Sequence, residues 1–153
     1  MGLLESQLRL KQSVAAKQSV QTLKTLLSPK DPRFFQVASL CAIHQDYATA
    51  IPLMEQVREA FPRSYNVNYN LALAYFQNKN YAKAAETLQL LLGHQPRAEA
   101  YNLLATAQEQ RKLYLEAVRA FQKAAELEPG NEDYRYDYAF ELLKHRTNKG
   151  RRR

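Results

Sequence analysis

The chain has 153 residues, 46% hydrophobic and 24% charged, with one cysteine, four glycines and a formal net charge of +7. That length suits one domain. No apolar run approaches the ~18 residues of a membrane-spanning helix, and a lone cysteine excludes an intramolecular disulfide.

In chain order, residues 3–27 predict an incoming helix or hairpin within an N-terminal cap or partial repeat over 1–30. Residues 31–64, 65–97 and 98–131 then predict three helix–turn–helix units, with helices about 13 residues long. Within each unit the apolar spacing is helical. Phe34, Val37, Ala38 and Cys41 fall at i, i+3, i+4 and i+7, one stripe of a helix. Leu71, Ala72 and Tyr75 continue it in the second unit, and Tyr101, Leu104, Ala105 and Gln108 in the third. The second helices read Ala50, Met54, Val57 and Ala84, Leu88, Leu91. The turns are short and polar: His44-Gln45-Asp46, Asn78-Lys79-Asn80 and Arg111-Lys112-Leu113. Asp46 and Asn80 suit the helix N-cap, and Leu113 does not. Gly93 is read as a helix-ending residue. Pro52, inside the second helix of the first unit, predicts a kink. Residues 132–146 predict a capping helix, and 147–153 a basic disordered tail.

The units repeat in register. Pro62, Pro96 and Pro129 recur at intervals of 34 and 33 residues, and so do Ala50, Ala84 and Ala117; Ala38, Ala72 and Ala105; and Tyr47, Tyr81 and Tyr114. Such a period means stacked helical hairpins. The prolines stop each second helix. The alanines let two helices approach closely, with Ala72 expected to face Ala84. Shifted back by one period, Ala16, Val20 and Leu23 occupy second-helix columns. Shifted forward, Tyr138 and Ala139 occupy first-helix columns. An end cap is what a stack of this kind needs.

These columns resemble the tetratricopeptide-repeat (TPR) family. The third unit carries Tyr101, Leu104-Ala105, Tyr114, Ala117, Phe121, Ala124 and Pro129. The second has Leu71-Ala72, Tyr75, Tyr81, Ala84 and Pro96, with Asn68 where an aromatic belongs. The first has Phe34, Val37-Ala38, Cys41, Tyr47, Ala50 and Pro62. The resemblance implies an all-α, right-handed α-solenoid of helix–turn–helix repeats with helical caps at both ends. It also implies that the first helices line a concave surface where a protein or peptide binds.

On that reading the residues opposite the core stripe form the peptide-binding groove: Phe35, Ser39, Asn66, Tyr69, Asn70, Leu73, Phe76, Glu99, Asn102, Thr106, Asp133 and Tyr136, with Leu103, Asp137 and Phe140 in the same columns. The surface is aromatic and mildly acidic. Aromatic residues are enriched where partners bind. Phe35, Tyr69 and Phe76 are expected to bury partner side chains, and Asn66, Asn70 and Asn102 to orient its backbone. Family members that clamp a C-terminal carboxylate use Lys, Asn and Arg. At the matching positions this chain has Phe35, Ser39, Asn70, Glu99 and Leu103, so only the asparagine is kept and an acidic terminus is disfavoured.

Charge patterning argues against nucleic acid. Residues 1–30 carry five basic and one acidic side chain, and 144–153 six basic and none acidic, while 31–143 carry eleven basic and fourteen acidic. The positive charge sits at the ends, not on a working face. His44, His94 and His145 have no ligand spacing for a metal. Cys41 lies in a core column. No glycine cluster cradles phosphate. The reading therefore expects no enzyme, no cofactor and no metal. Met1-Gly2-Leu3-Leu4-Glu5-Ser6 fits the myristoylation pattern only by its short form. No signal-peptide pattern is visible; the expectation is a soluble, cytoplasmic chain if complete, and a periplasmic or exported one if it is an excised domain. The alternative function is an oligomerisation or assembly module that self-associates through its terminal helices.

Overall fold

The computed structural model describes Gly2 and residues 13–150, without the side chains of 13–17 and 145–150. No strand occurs among the described residues. They form α1 (Ser13–Leu26), α2 (Pro32–Ile43), α3 (Tyr47–Ala60), α4 (Tyr65–Gln77), α5 (Tyr81–His94), α6 (Ala98–Gln110), α7 (Tyr114–Leu127) and α8 (Glu132–Gly150). Residues 3–12 of the expected incoming hairpin lie outside the described residues. The chain divides into two compact units, 1–78 and 79–153.

In the first unit α2 packs on α3, α3 on α4, and α1 against α2. Its larger buried side chains are Phe34, Val37, Leu53, Met54, Val57, Leu71 and Tyr75, set among buried alanines at 38, 50, 72 and 74 and Cys41. In the second unit α6 packs on α5 and α7, and α7 on α8. Its buried positions are dominated by alanine, at 84, 85, 98, 100, 105, 107, 117, 120 and 124. The small side chains let α6 and α7 approach closely.

Local chemistry sets each boundary. Asp31 caps α2, accepting from the Arg33 amide at 2.9 Å, and the Arg33 guanidinium beside it pulls its carboxyl down to about 2. Asp46 and Asn80 cap α3 and α5, accepting from Thr49 and Lys83 amides at 3.3 Å. Leu113 supplies no side-chain cap to α7. The second helices end alike: Phe61, Gln95 and Glu128 leave the helical conformation, at φ −134°, −140° and −129°. Each precedes a proline, whose ring disfavours the helical conformation in the residue before it.

The first-to-second turns share a feature the residue types conceal. Gln45, Lys79 and Lys112 all have positive φ, at 62°, 61° and 62°. At α2 and α6 the bonds are those of a Schellman turn: Asp46 N–H to Cys41 C=O and Gln45 N–H to Ala42 C=O, both 2.9 Å, and likewise Leu113 to Gln108 and Lys112 to Glu109. Glycine is the usual occupant of that left-handed position.

Two expectations change. Gly93 does not end α5: it lies inside the last turn, the helix runs on to His94, and the following Gln95–Pro96 step stops it. The helix from 132 does not stop at 146 before a disordered tail. It continues to Gly150, because nothing before that glycine breaks a helix and basic residues favour a helix C-terminus; residues 151–153 lie outside the described residues. Helix α3 runs unbroken through Pro52, whose ring is exposed.

Asn68 explains its departure from the aromatic column. It is buried, and its Nδ2 donates to Pro62 C=O at 2.9 Å and Ser64 C=O at 2.8 Å. It ties the turn between α3 and α4 to the first turn of α4.

Candidate functional site

In the first unit, Ser39, Ala42 and Ile43 fall on one face of α2, and Asn70, Leu73, Ala74 and Gln77 on one face of α4. The i, i+3, i+4 spacing aligns each set. Together with Tyr47 and Met54 they line a cleft of about 240 Å³. Three residues expected in the groove, Ser39, Asn70 and Leu73, are thus brought together. The Asn70 Nδ2 donates to Asn66 C=O at 2.8 Å, which fixes the amide and leaves Oδ1 as an acceptor. The Tyr47 hydroxyl donates to Gln77 Oε1 at 3.2 Å. Tyr47 and Gln77 were missed by the groove columns: Tyr47 belongs to a packing column, and only the packed hairpin shows that its hydroxyl reaches the rim.

The aromatic residues are placed differently. Phe35, Tyr69 and Phe76 are half-buried and do not line this cleft. Tyr69 stacks on Tyr65, with ring centres 5.7 Å apart. Asn66 is exposed.

In the second unit, Asn102, Thr106 and Glu109 run along α6 at i, i+4 and i+7, beside Asp137, Glu141 and Lys144 of α8. The Asn102 side chain lies beside the Asp137 carboxylate, and its buried Oδ1 has no hydrogen-bond partner. The Thr106 hydroxyl donates to Asn102 C=O at 2.9 Å. Burial raises the Asp137 carboxyl above the ordinary aspartate value, and the charges of Asp133 and Glu109 add to the shift; the Asn102 side chain opposes them.

Lys144 answers this negative charge. Its Nζ bonds Glu109, reaches Glu141 at 3.3 Å, and stands 5.9 Å from the centre of the Tyr114 ring. The Glu109 hydrogen bond holds the ammonium above its ordinary value against the opposing effect of burial, and Glu141 reinforces it. Glu141 is only 2% exposed. Neither Glu141 nor Lys144 was expected in the site. The spacing of Asp137, Glu141 and Lys144 at i, i+4 and i+7 is the signal that places them on one face. Glu99 is half-buried, 3.9 Å from Arg97. Asp133 is exposed, and Tyr136 is 67% exposed.

Among the described residues no group of histidine, cysteine and carboxylate side chains is arranged to hold a metal, and no helix is long and apolar enough to cross a membrane. Cys41 is fully buried. Burial, with the Asp46 charge, pushes its thiol up to about 12, so it is neutral and unreactive at physiological pH.

Two family profiles described as tetratricopeptide repeat match residues 43–107 and 98–131. Together they span more than half of the chain. No curated protein matches the sequence. Among solved structures, MamA 41-end from Desulfovibrio magneticus RS-1 is 22% identical, with 97% of this chain and 85% of that one covered and a TM-score of 0.74. The Sgt2 TPR domain from Aspergillus fumigatus is also 22% identical, over 79% of this chain and 81% of that one, with a TM-score of 0.68. A thermophilic TPR protein of Thermus thermophilus is 21% identical, over 92% and 78%, with a TM-score of 0.64. At such identities the likeness is one of fold.

Proposed function

Since the chain belongs to the tetratricopeptide-repeat family and is a protein–protein interaction scaffold, we propose that it holds a neutral, apolar-anchored peptide segment in the cleft between α2 and α4. The observation that carries this reading is the composition of that cleft. Its floor is Ala42, Leu73, Ala74 and Met54, and its rim is Ser39, Asn70, Gln77 and Tyr47. An apolar side chain of the partner fills the floor. The acceptor oxygen of Asn70 and the amide of Gln77 take one backbone N–H and one C=O of the partner, as polar groups placed around an apolar site set orientation.

No Lys or Arg lines the cleft, so a terminal carboxylate finds no counter-charge there. The half-buried rings of Phe35, Tyr69 and Phe76 add apolar contact where the bound segment leaves the cleft. In the second unit, Glu99, Asn102, Thr106, Asp133 and Tyr136 offer a face for a partner's basic side chain, drawn by the negative charge around Asp137. The scaffold needs no cofactor and performs no covalent step.

The reading is tested by panning a random-peptide display library on the whole chain and measuring the selected peptides by fluorescence anisotropy. Leu73→Glu and Asn70→Ala are expected to weaken binding more than tenfold and about threefold respectively, as loss of an apolar anchor and of one hydrogen bond would. Leu90→Ala, at an exposed position of α5, serves as the unaffected control. Equal affinity for Leu73→Glu and wild type, with helicity preserved, would remove the cleft from the function.

A further inference from the structure

The face shared by α6 and α8 holds more hydrogen-bond acceptors than it satisfies. The Asn102 side chain lies beside Asp137, and Glu109 bonds Lys144; both pairs are 35 positions apart. The two helices therefore run in the same direction along this face, and the same interval sets Thr106 opposite Glu141. Glu141 stands between the two pairs, one turn from Asp137 and one from Lys144. Its side chain is 2% exposed, and its Oε2 reaches Lys144 at 3.3 Å. Among the described residues its Oε1, like Asn102 Oδ1, is shut off from water with no donor. A buried acceptor left without a donor is destabilising.

Charge points the same way. Glu109, Asp133, Asp137 and Glu141 bring carboxylates to this face, and Lys144 is spent on Glu109 and Glu141. The side-chain charges acting on Asp137 are those of Asp133 and Glu109, both negative. The face lacks a positive group with several N–H donors. Among the described residues the carboxylates are not gathered as a metal ion needs them, with oxygens at about 2.0–2.6 Å. A lysine ammonium brings its donors to one point, whereas a guanidinium spreads its donors over a rigid plane. The guanidinium is also the more weakly hydrated of the two, so it loses less on entering a half-buried site.

We propose that the recess between α6 and α8 binds an arginine side chain of a partner protein, its guanidinium donating to the Asp137 carboxylate, Asn102 Oδ1 and Glu141 Oε1. Lys144 stays on Glu109 and on Glu141 Oε2. Asn102, Thr106 and Asp137 are half-buried and form the mouth. The guanidinium parts Asn102 from Asp137 to reach the two enclosed oxygens, and supplies the donors they lack. The acidic cluster alone would draw any cation; the enclosed acceptors select one whose donors are spread. This site rests on the reading of the second unit's face as a contact for a partner's basic side chain, and not on the cleft between α2 and α4.

Nuclear magnetic resonance titration of the whole chain at constant ionic strength tests it. The probes are the end-blocked peptide Gly-Ala-Arg-Ala-Gly and its counterparts with lysine or with citrulline, the neutral isostere, in place of arginine. The arginine peptide should shift the Asn102 side-chain amide and the Thr106 and Glu141 backbone amides saturably. The lysine peptide should bind about fivefold more weakly, and the citrulline peptide should cause no saturable shift. Asp137→Asn should weaken the arginine peptide about tenfold, and Asn102→Ala about threefold, each with unchanged circular dichroism. Leu73→Glu should leave this binding intact, so failure of the cleft and failure of this site are told apart. Equal binding of lysine and arginine would overturn the arginine site and leave the face a basic contact; binding of neither would remove both. Indifference to Asp137→Asn, or a crystal structure with the arginine peptide that holds only water between Asn102 and Glu141, would also overturn the proposal.

Discussion

The faces of α2 and α4 in the first unit and of α6 and α8 in the second use corresponding columns of one repeat for opposite chemistry. Around Ser39, Asn70 and Leu73 the surface is neutral, with an apolar floor and amide rim. Around Asn102, Asp137 and Glu109 it is charged and partly dry, and Lys144 is needed to hold it. The cores differ in proportion: the second unit buries more alanines beside Leu88, Leu91, Leu92, Leu104 and Phe121, and the first buries fewer beside a larger set of aliphatic and aromatic side chains. A repeat thus fixes where the backbone goes and leaves the chemistry of each face to a few residues between its columns.

The core contrast gives the largest expected effects. Met54→Ala removes a side chain that is 1% exposed and should cost about 2–5 kcal/mol by opening a cavity. Ala105→Leu inserts bulk where an alanine is fully buried and should cost about 1–3 kcal/mol by overpacking. Urea denaturation measures both. An Ala105→Leu variant as stable as wild type would show that the second unit has room its alanines do not reveal.

The next effect probes the charged face. Lys144→Met leaves Glu141 buried without its ammonium and frees Glu109. Removing one partner of a buried pair is costly, but Lys144 is 36% exposed and water screens part of the loss, so about 1–2 kcal/mol is expected. Adding Glu141→Gln to the same chain should recover a large share of it. Failure of the double variant to recover would place the cost in lost packing against Tyr114, not in charge.

The regular part of this arrangement is legible in the sequence. The columns of Ala38, Ala72 and Ala105, the caps Asp46 and Asn80, and the uncapped start at Leu113 all follow from residue type and spacing, because helix geometry and capping are local. Ser39, Asn70 and Leu73 are legible for the same reason. The pairing of Lys144 with Glu109 is not, since it joins residues from two helices and no local period encodes it. The exposure of Tyr136 and the half-burial of Tyr69 depend on neighbours likewise. The left-handed residues at Gln45, Lys79 and Lys112 are concealed by their side chains; only their recurrence at the repeat interval betrays a shared backbone position.

Those turns offer a smaller test common to both units. A side chain with Cβ is strained at positive φ, and glycine is not. Gln45→Gly and Lys112→Gly should each stabilise by up to about 1 kcal/mol, part of the relief being offset by glycine's extra freedom in the unfolded chain. Thermal unfolding would show it. A loss of stability at either position would mean that the side chain makes a contact outweighing the strain.

The smallest effect isolates the charge surplus around Asp137. Its carboxyl is raised in the folded chain by burial first, then by Asp133 and Glu109. The folded state therefore holds the proton more tightly than the unfolded state does. Where the folded state binds more protons, stability falls as pH rises. The loss should begin near the ordinary aspartate value of 3.8 and be complete above the raised one, so the penalty is fully present at neutral pH. Asp137→Asn cannot ionise and should be more stable than wild type at pH 7, by less than about 1 kcal/mol for a site only half-buried. The advantage should vanish below the ordinary carboxylate range, where wild-type Asp137 is protonated as well. No carboxylate lines the first-unit cleft, so Asn70→Ala should alter stability equally at both pH values. If the Asp137→Asn gain persisted unchanged into acid, its origin would be packing against Asn102, and the electrostatic half of the contrast between the two faces would fall.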